Sequence, residues 1–204
     1  MRYSFESAYW RSVIAGLAKP KIPVIPYVPA HRQPPSRGLQ VVSAWEGIQN
    51  ILADLIARFQ IDTSRCLEFG VEYGFSTVAI SSYFQSVMGV DTFHGDLHTD
   101  NKDDIFDETS RRLSFYPNIE LIRSDYRDFI KQDHGTFGLI HVDIIHTFAD
   151  TFACGLWSAH HSHCTIFHDT ESFPAVKQAV VEVARATGKK FYNFNESFGL
   201  GILV

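Results

Sequence analysis

The sequence predicts an α/β fold: a mostly parallel sheet with helices packed on both faces. Three observations carry this expectation. From Arg65 onward, short apolar runs alternate with helical patterns. Five consecutive runs end in an acid or a His–Asp pair. The stretch Cys66-Leu67-Glu68-Phe69-Gly70-Val71-Glu72-Tyr73-Gly74-Phe75-Ser76 reads as strand, tight turn and helix start. Glycine lets such a turn close sharply and lets a ligand approach the backbone, and a helix start offers free N–H groups to an anionic group.

A chain of 204 residues suits one domain, here 41–204, preceded by a proline-rich arm at 1–40. Hydrophobic residues make up 45% and charged residues 20%, a mix able to bury a core. A formal charge of −5 gives no footprint for a phosphate backbone, so no nucleic-acid partner is expected. Three cysteines, Cys66, Cys154 and Cys164, are too few and too odd for a disulfide framework and fit a reducing compartment. No apolar run approaches the roughly 20 residues of a membrane span, and no signal peptide is visible. The expectation is a soluble cytoplasmic protein.

The elements follow in order. A short helix is expected over residues 3–17, carrying Phe5, Tyr9, Trp10, Val13, Ile14 and Leu17. Six of the eight prolines then fall between Pro20 and Pro35, which predicts an irregular or polyproline-like segment over 19–37. An aromatic helix on a stiff arm could cover a pocket, reach a second copy to form a homodimer, or simply pack on its own domain. Residues 43–59 read as a helix, with Ser43 and Glu46 as a capping box and Ile48, Ile51, Leu52, Leu55, Ile56 and Phe59 on one face. Strands are expected at 65–69, 86–91, 119–122, 136–143 and 165–169, with helices at 74–85, 103–115, 126–132 and 148–159 between them. A further helix opens at Ser172 with Pro174 in its first turn and ends at Gly188. Two last strands, 189–194 and 198–204, are joined by Asn195-Glu196-Ser197, which implies an antiparallel pair.

In an open α/β sheet, ligands lie beyond the carboxyl ends of the strands. The polar residues there are Glu68, Asp91, Asp125, Asp143 with His146, and His168 with Asp169. Turn chemistry alone is equally well served by Asn, Ser and Gly, so five acidic ends point to a ligand. Asp91 follows the glycine loop by about one βαβ unit, where a carboxylate can accept ribose hydroxyls. Asp125 is also placed to cap the helix after it. Asp143, His168 and Asp169 could hold a hard divalent cation, Mg²⁺ or Mn²⁺, that lowers the pKa of a substrate hydroxyl. Alternatively His146 or His168 is a metal-free general base, or His168-Asp169 is a structural pair. His160, His161 and His163 with Cys164 fit no closed four-ligand zinc pattern and read as a solvated loop.

The glycine loop is not a dinucleotide fingerprint. Aligned on Gly70, Glu68 stands at the first glycine position of G-x-G-x-x-G and Tyr73 at the third, giving E-x-G-x-x-x-G. That disfavours an NAD-type oxidoreductase. It resembles motif I of the class I S-adenosylmethionine (SAM)-dependent methyltransferases. The further pieces are Val90-Asp91-Thr92-Phe93 with Gly95-Asp96 and His98-Thr99, Leu139-Ile140-His141-Val142-Asp143 with His146-Thr147-Phe148, and Phe167-His168-Asp169-Thr170. Together they resemble the methyltransferase 24 type, related to macrocin-type O-methyltransferases.

The resemblance implies a Rossmann-like sheet of seven strands with the last antiparallel. It implies SAM at Glu68, Gly70, Gly74 and Ser76, with Asp91, Thr92, Phe93, Asp125, Tyr126 and Asp143 completing the site. An acid at Asp125 would meet the adenine amino group, and Tyr126 or Phe93 could stack on the ring. It further implies O-methylation of a small hydroxylated acceptor, such as a sugar, glycan or secondary metabolite. Asp143, His146 and His168 are the expected catalytic residues. Relatives carry D-G-D-H or D-G-x-H after the fourth strand, whereas this chain has Asp143-Ile144-Ile145-His146. That departure motivates an alternative, a catalytically degenerate SAM-binding protein with a binding or assembly role.

Overall fold

A computed structural model describes residues 6–95 and 103–204 of the chain. Tyr3 and Phe5 of the expected first helix, and Asp96, His98 and Thr99 of the loop motif, lie outside the described residues. Eight strands form one sheet: β1 (Val24–Pro26), β2 (Arg65–Phe69), β3 (Ser86–Asp91), β4 (Ile119–Arg123), β5 (Phe137–Val142), β6 (Ser162–His168), β7 (Phe191–Phe194) and β8 (Leu200–Leu203). Their order is β1-β7-β8-β6-β5-β2-β3-β4. β8 runs antiparallel to β6 and β7, and every other pairing is parallel. The helices are α1 (Ser7–Gly16), α2 (Leu52–Phe59), α3 (Phe75–Ile80), α4 (Phe106–Leu113), α5 (Tyr126–Phe129), α6 (Phe148–His161) and α7 (Pro174–Thr187).

Strand alternation builds the two faces. Along β2 and β5, Cys66 and Leu139 face one core with Ile48, Ile51, Leu52 and Leu55. Leu67, Phe69, Ile140 and Val142 face the other, with Cys154, Val180 and Val183 from α6 and α7. The chain leaves β2 for β3 on one side and returns to β5 on the other. The carboxyl ends of β2 and β5 therefore flank a topological switch point, where such sheets take their ligands.

Two expectations need correction. The arm is not wholly irregular, because β1 adds an eighth strand parallel to β7. Pro26 is tolerated there because an edge strand needs hydrogen bonds on one side only. Asp54 fixes the chain beyond it: Tyr27 donates its phenol to Oδ2 at 2.5 Å, and the Ala30 and His31 amides donate to Oδ1 at 3.0 and 3.2 Å. The helix expected at 43–59 is shorter. A 3-10 turn, Ile48–Ile51, leads into α2, and residues 43–47 are not helical. The capping box does not form, since Ser43 Oγ accepts from the Trp45 amide at 3.2 Å. Gly47, at φ 102°, turns the chain where the helix was expected to continue.

The other shifts are at element ends. The helices expected at 74–85 and 103–115 are trimmed to α3 and α4. The run from His160 to Cys164 is no loop, because α6 passes directly into β6. Among the described residues it supplies no group of three metal donors. α1 packs on α6 and α7 of its own chain, with Gln178 donating to Ser12 Oγ at 3.1 Å, and Trp10, Ile14 and Leu17 are exposed. Among the described residues, no helix is long and apolar enough to cross a membrane.

Candidate active site

A cavity of about 430 Å³ opens at the carboxyl ends of β2, β3, β5 and β6. Its floor is the loop after β2. Gly70 has φ 90°, and a Cβ there would come within 1.7 Å of the Asp143 carbonyl oxygen. Only glycine lets this loop lie against the end of β5. The Asp143 amide in turn donates to the Phe69 carbonyl at 2.8 Å.

Asp91 organises the loop as well as facing the cavity. Its Oδ2 accepts from the Val71 and Glu72 amides at 2.7 and 2.9 Å, and its Oδ1 accepts from the Phe93 amide at 2.8 Å. These bonds hold Glu72 at φ 51° and Phe93 at φ 57°, left-handed conformations that side chains disfavour. The Thr92 hydroxyl also lies 3.5 Å from Oδ1, so of a carboxylate's roughly four acceptor directions three take amides and the fourth is one a ligand hydroxyl would share with Thr92.

Ser76, Thr92, Phe93, Asp125, Tyr126, Asp143, His146, His168 and Asp169 also border the cavity. Asp125 caps α5 by accepting from the Arg127 amide at 2.7 Å and pairs with the Arg127 guanidinium at 2.9 Å. Tyr126 donates to Asp150 Oδ1 at 2.8 Å, and burial, then Asp150, raises its phenol far above the usual range. Two expected cofactor residues do not border the cavity. Gly74 starts α3 and lies under Leu113. Glu68 is fully buried, accepting from the Thr77 hydroxyl on Oε2 and lying 2.8 Å from His141 Nδ1 through Oε1.

At the ends of β5 and β6, acids and imidazoles hold one another. His146 Nε2 is 2.8 Å from Asp169 Oδ2 and 3.7 Å from Asp143 Oδ1. Its ring stacks on Phe173 at 4.1 Å. His168 faces two acceptors, Asp143 Oδ2 at 3.1 Å from Nδ1 and the Ser197 carbonyl at 3.3 Å from Nε2. Neither acceptor can donate, so the ring satisfies both by carrying two protons. Burial pushes the His168 pKa down, but Asp143 outweighs it and the net direction is up. Burial likewise opposes the charge on His146, and the neighbouring carboxylates of Asp143 and Asp169 more than reverse it, raising its pKa to about 9. For Asp143, burial is outweighed chiefly by His168, which holds the carboxyl well below its usual range.

The donor set differs from the expected one. Asp143, His146 and Asp169 each bring a ligand atom within 4.8 Å of the others, whereas His168 lies outside this group. Two carboxylates and one imidazole suit a hard divalent cation. His168, though left out of that grouping, places Nδ1 3.1 Å from Asp143 Oδ2 and 3.5 Å from Asp169 Oδ2.

Sequence reasoning missed Trp45 and the wall formed by 41–44, which border the cavity from outside the α/β repeat. It also missed His141 beneath it and Ser197 beside His168. Strand alternation places His141 on the face of β5 that Asp143 continues. That periodicity is the one signal available for it.

A family model described as a methyltransferase domain, methyltransferase 24, matches residues 67–170, just over half of the chain. No curated protein sequence matches the chain. Among solved structures, it is similar to CalS10, a SAM-bound amino pentose methyltransferase from Micromonospora echinaspora. The TM-score is 0.59 at 12% identity, over 100% of this chain and 99% of that one. It is also similar to a Bacillus cereus O-methyltransferase in complex with SAH, with a TM-score of 0.57 at 15% identity, over 98% of this chain and 92% of that one. The O-methyltransferase NovP gives 0.59 at 14% identity, over 78% of this chain and 77% of that one. At such identities the structures speak for the fold alone. The family match extends from the third residue of β2, through Asp91 at the end of β3 and Asp143 just after β5, to Thr170, and on this ground the chain belongs to the methyltransferase 24 family.

Proposed function

We propose that the chain transfers a methyl group from SAM to a hydroxyl of a small acceptor. The observation that carries this reading is that one cavity joins the glycine loop at Gly70 to the Asp–His cluster at Asp143 and Asp169. Structures of similar fold bound to SAM or SAH support the choice of cofactor. SAM, when bound, supplies an electrophilic methyl group with a good leaving group already in place.

The chain's residues then have mainly to align and to manage a proton. Gly70 and Ser76 accept the methionine end, Asp91 offers its remaining acceptor direction to ribose, and Asp125 and Tyr126 border the adenine end. Asp143, His146 and Asp169 orient the acceptor hydroxyl. Where Mg²⁺ or Mn²⁺ binds, these three residues hold it, and it would make that hydroxyl more acidic. At a pKa of about 9, His146 carries its proton at neutral pH. It ligates a cation or removes a substrate proton only after releasing its own. His168, between Asp143 and Ser197, is a fixed cation that holds the Asp143 carboxylate in place.

Calorimetric titration with SAM and SAH, with and without Mg²⁺, followed by turnover on polyols and phenols, tests the reading. The expected result is SAH binding and methyl transfer to one acceptor class. Absence of binding overturns it. Binding with no turnover on any acceptor transfers the case to a SAM-binding protein without catalysis, the reading that Ile144-Ile145 favours.

A further inference from the structure

We propose that Glu68, His141 and Trp45 form a positioning relay that sets the cavity wall at residues 41–45 against the reaction cluster. Glu68 and His141 are register partners on β2 and β5, so their side chains leave the sheet on the same face, side by side. Both are fully buried. His141 Nδ1 lies 2.8 Å from Glu68 Oε1, and the Trp45 indole N–H donates to His141 Nε2 at 3.2 Å. An indole nitrogen can only donate, so His141 Nε2 must accept. That fixes the proton on Nδ1, where the carboxylate accepts it. The Thr77 hydroxyl closes the far end of the chain on Glu68 Oε2.

An apolar trio would fill this space without the cost of desolvating a carboxylate and an imidazole. What the polar chain adds is orientation, because each hydrogen bond has one direction that satisfies it. The residue it orients is Trp45, which borders the cavity with Ser43 and Ala44. A second tie comes from the other side. Ser197 donates its hydroxyl to the Glu46 carbonyl at 2.7 Å, while its own carbonyl faces His168. Gly47 permits this approach, since a Cβ there would lie 2.5 Å from Ser197 Oγ. The wall is thus held to β5 below and to His168 beside it. It lies outside the segment that the family model matches, 67–170.

The inference rests on the methyltransferase reading only for the ligand used to probe it. Three variants test it: Trp45→Phe, His141→Leu and His141→Gln. Glutamine can accept from the indole and donate to Glu68, so it can restore the relay. SAH affinity is measured by calorimetry. Acrylamide quenching of Trp45 is measured in a Trp10→Phe/Trp157→Phe background, where it is the sole tryptophan of the original three. Losing one buried hydrogen bond should weaken SAH binding about two- to tenfold in Trp45→Phe and His141→Leu, with His141→Gln within about twofold of the parent.

Quenching should rise in His141→Leu and return in His141→Gln. Unchanged SAH affinity in Trp45→Phe, or unchanged quenching in a folded His141→Leu, overturns the relay. If His141→Leu does not fold, Trp45→Phe decides, because it leaves Glu68 and His141 intact. If the parent protein takes no SAH, the methyltransferase reading fails and the quenching series alone judges the relay.

Discussion

The two ends of the cavity are built on different principles. At the glycine-loop end, the acids are committed to the protein. Asp91 holds three backbone amides, Asp125 caps a helix, and Glu68 is buried with Thr77 and His141. At the other end, Asp143 and Asp169 are held by the imidazoles of His146 and His168, side chains rather than backbone amides. The first end is a backbone mould whose shape is set on folding. The second is a balanced set of charges that a ligand or cation can rearrange. Substitutions should therefore cost stability at the first end and change pH dependence at the second.

The largest effect is expected from Gly70→Ala. The added Cβ meets the Asp143 carbonyl at 1.7 Å in a backbone conformation that alanine disfavours. A loss of about 4 kcal/mol or failure to fold is expected in urea denaturation. Wild-type stability would break the contrast at its root. Next is Asp91→Ala, which strands the amides of Val71, Glu72 and Phe93. It should cost roughly 3 to 4 kcal/mol in the same assay, before any ligand is added. If Asp91 served a ligand alone, the ligand-free protein would melt unchanged.

The smallest effect, and the one that sharpens the contrast, is at His146. Its pKa is 6.5 in an unperturbed chain and about 9 when folded. The stabilisation is therefore complete below pH 6.5 and fades as pH climbs through about 9. It should amount to roughly 2 to 3 kcal/mol across that window. His146→Gln should flatten the slope in denaturation curves between those pH values. A slope that survives the substitution would assign the titration to another group.

Much of this was readable from the chain. The central strands β2 and β5 announce themselves because they are buried on both faces and read as short, mostly apolar runs followed by or ending near an acid. The acids at those ends were found for the same reason. What was not readable depends on register or on backbone shape. Glu68 read as a ligand residue because the motif places an acid there. Only the pairing of β2 with β5 brings His141, 73 residues away in sequence, to its carboxylate. The helical face of residues 48–59 was correctly seen, but its start was not, since a glycine at φ 102° cancels the capping signal before it. The contact of His168 with the Ser197 carbonyl was not readable either, because that loop comes from the far end of the chain.

The short strand β1 carries a consequence for how copies of this chain meet at high concentration. A sheet rim with unpaired amides is a template on which a neighbour's backbone can add. Here β7 is shielded by three residues, preceded by Pro23 and ending in Pro26, which lack the amide hydrogens such growth requires. Removing the arm should therefore bare the β7 edge to pairing with a neighbouring chain, which loss of solubility at high concentration would reveal.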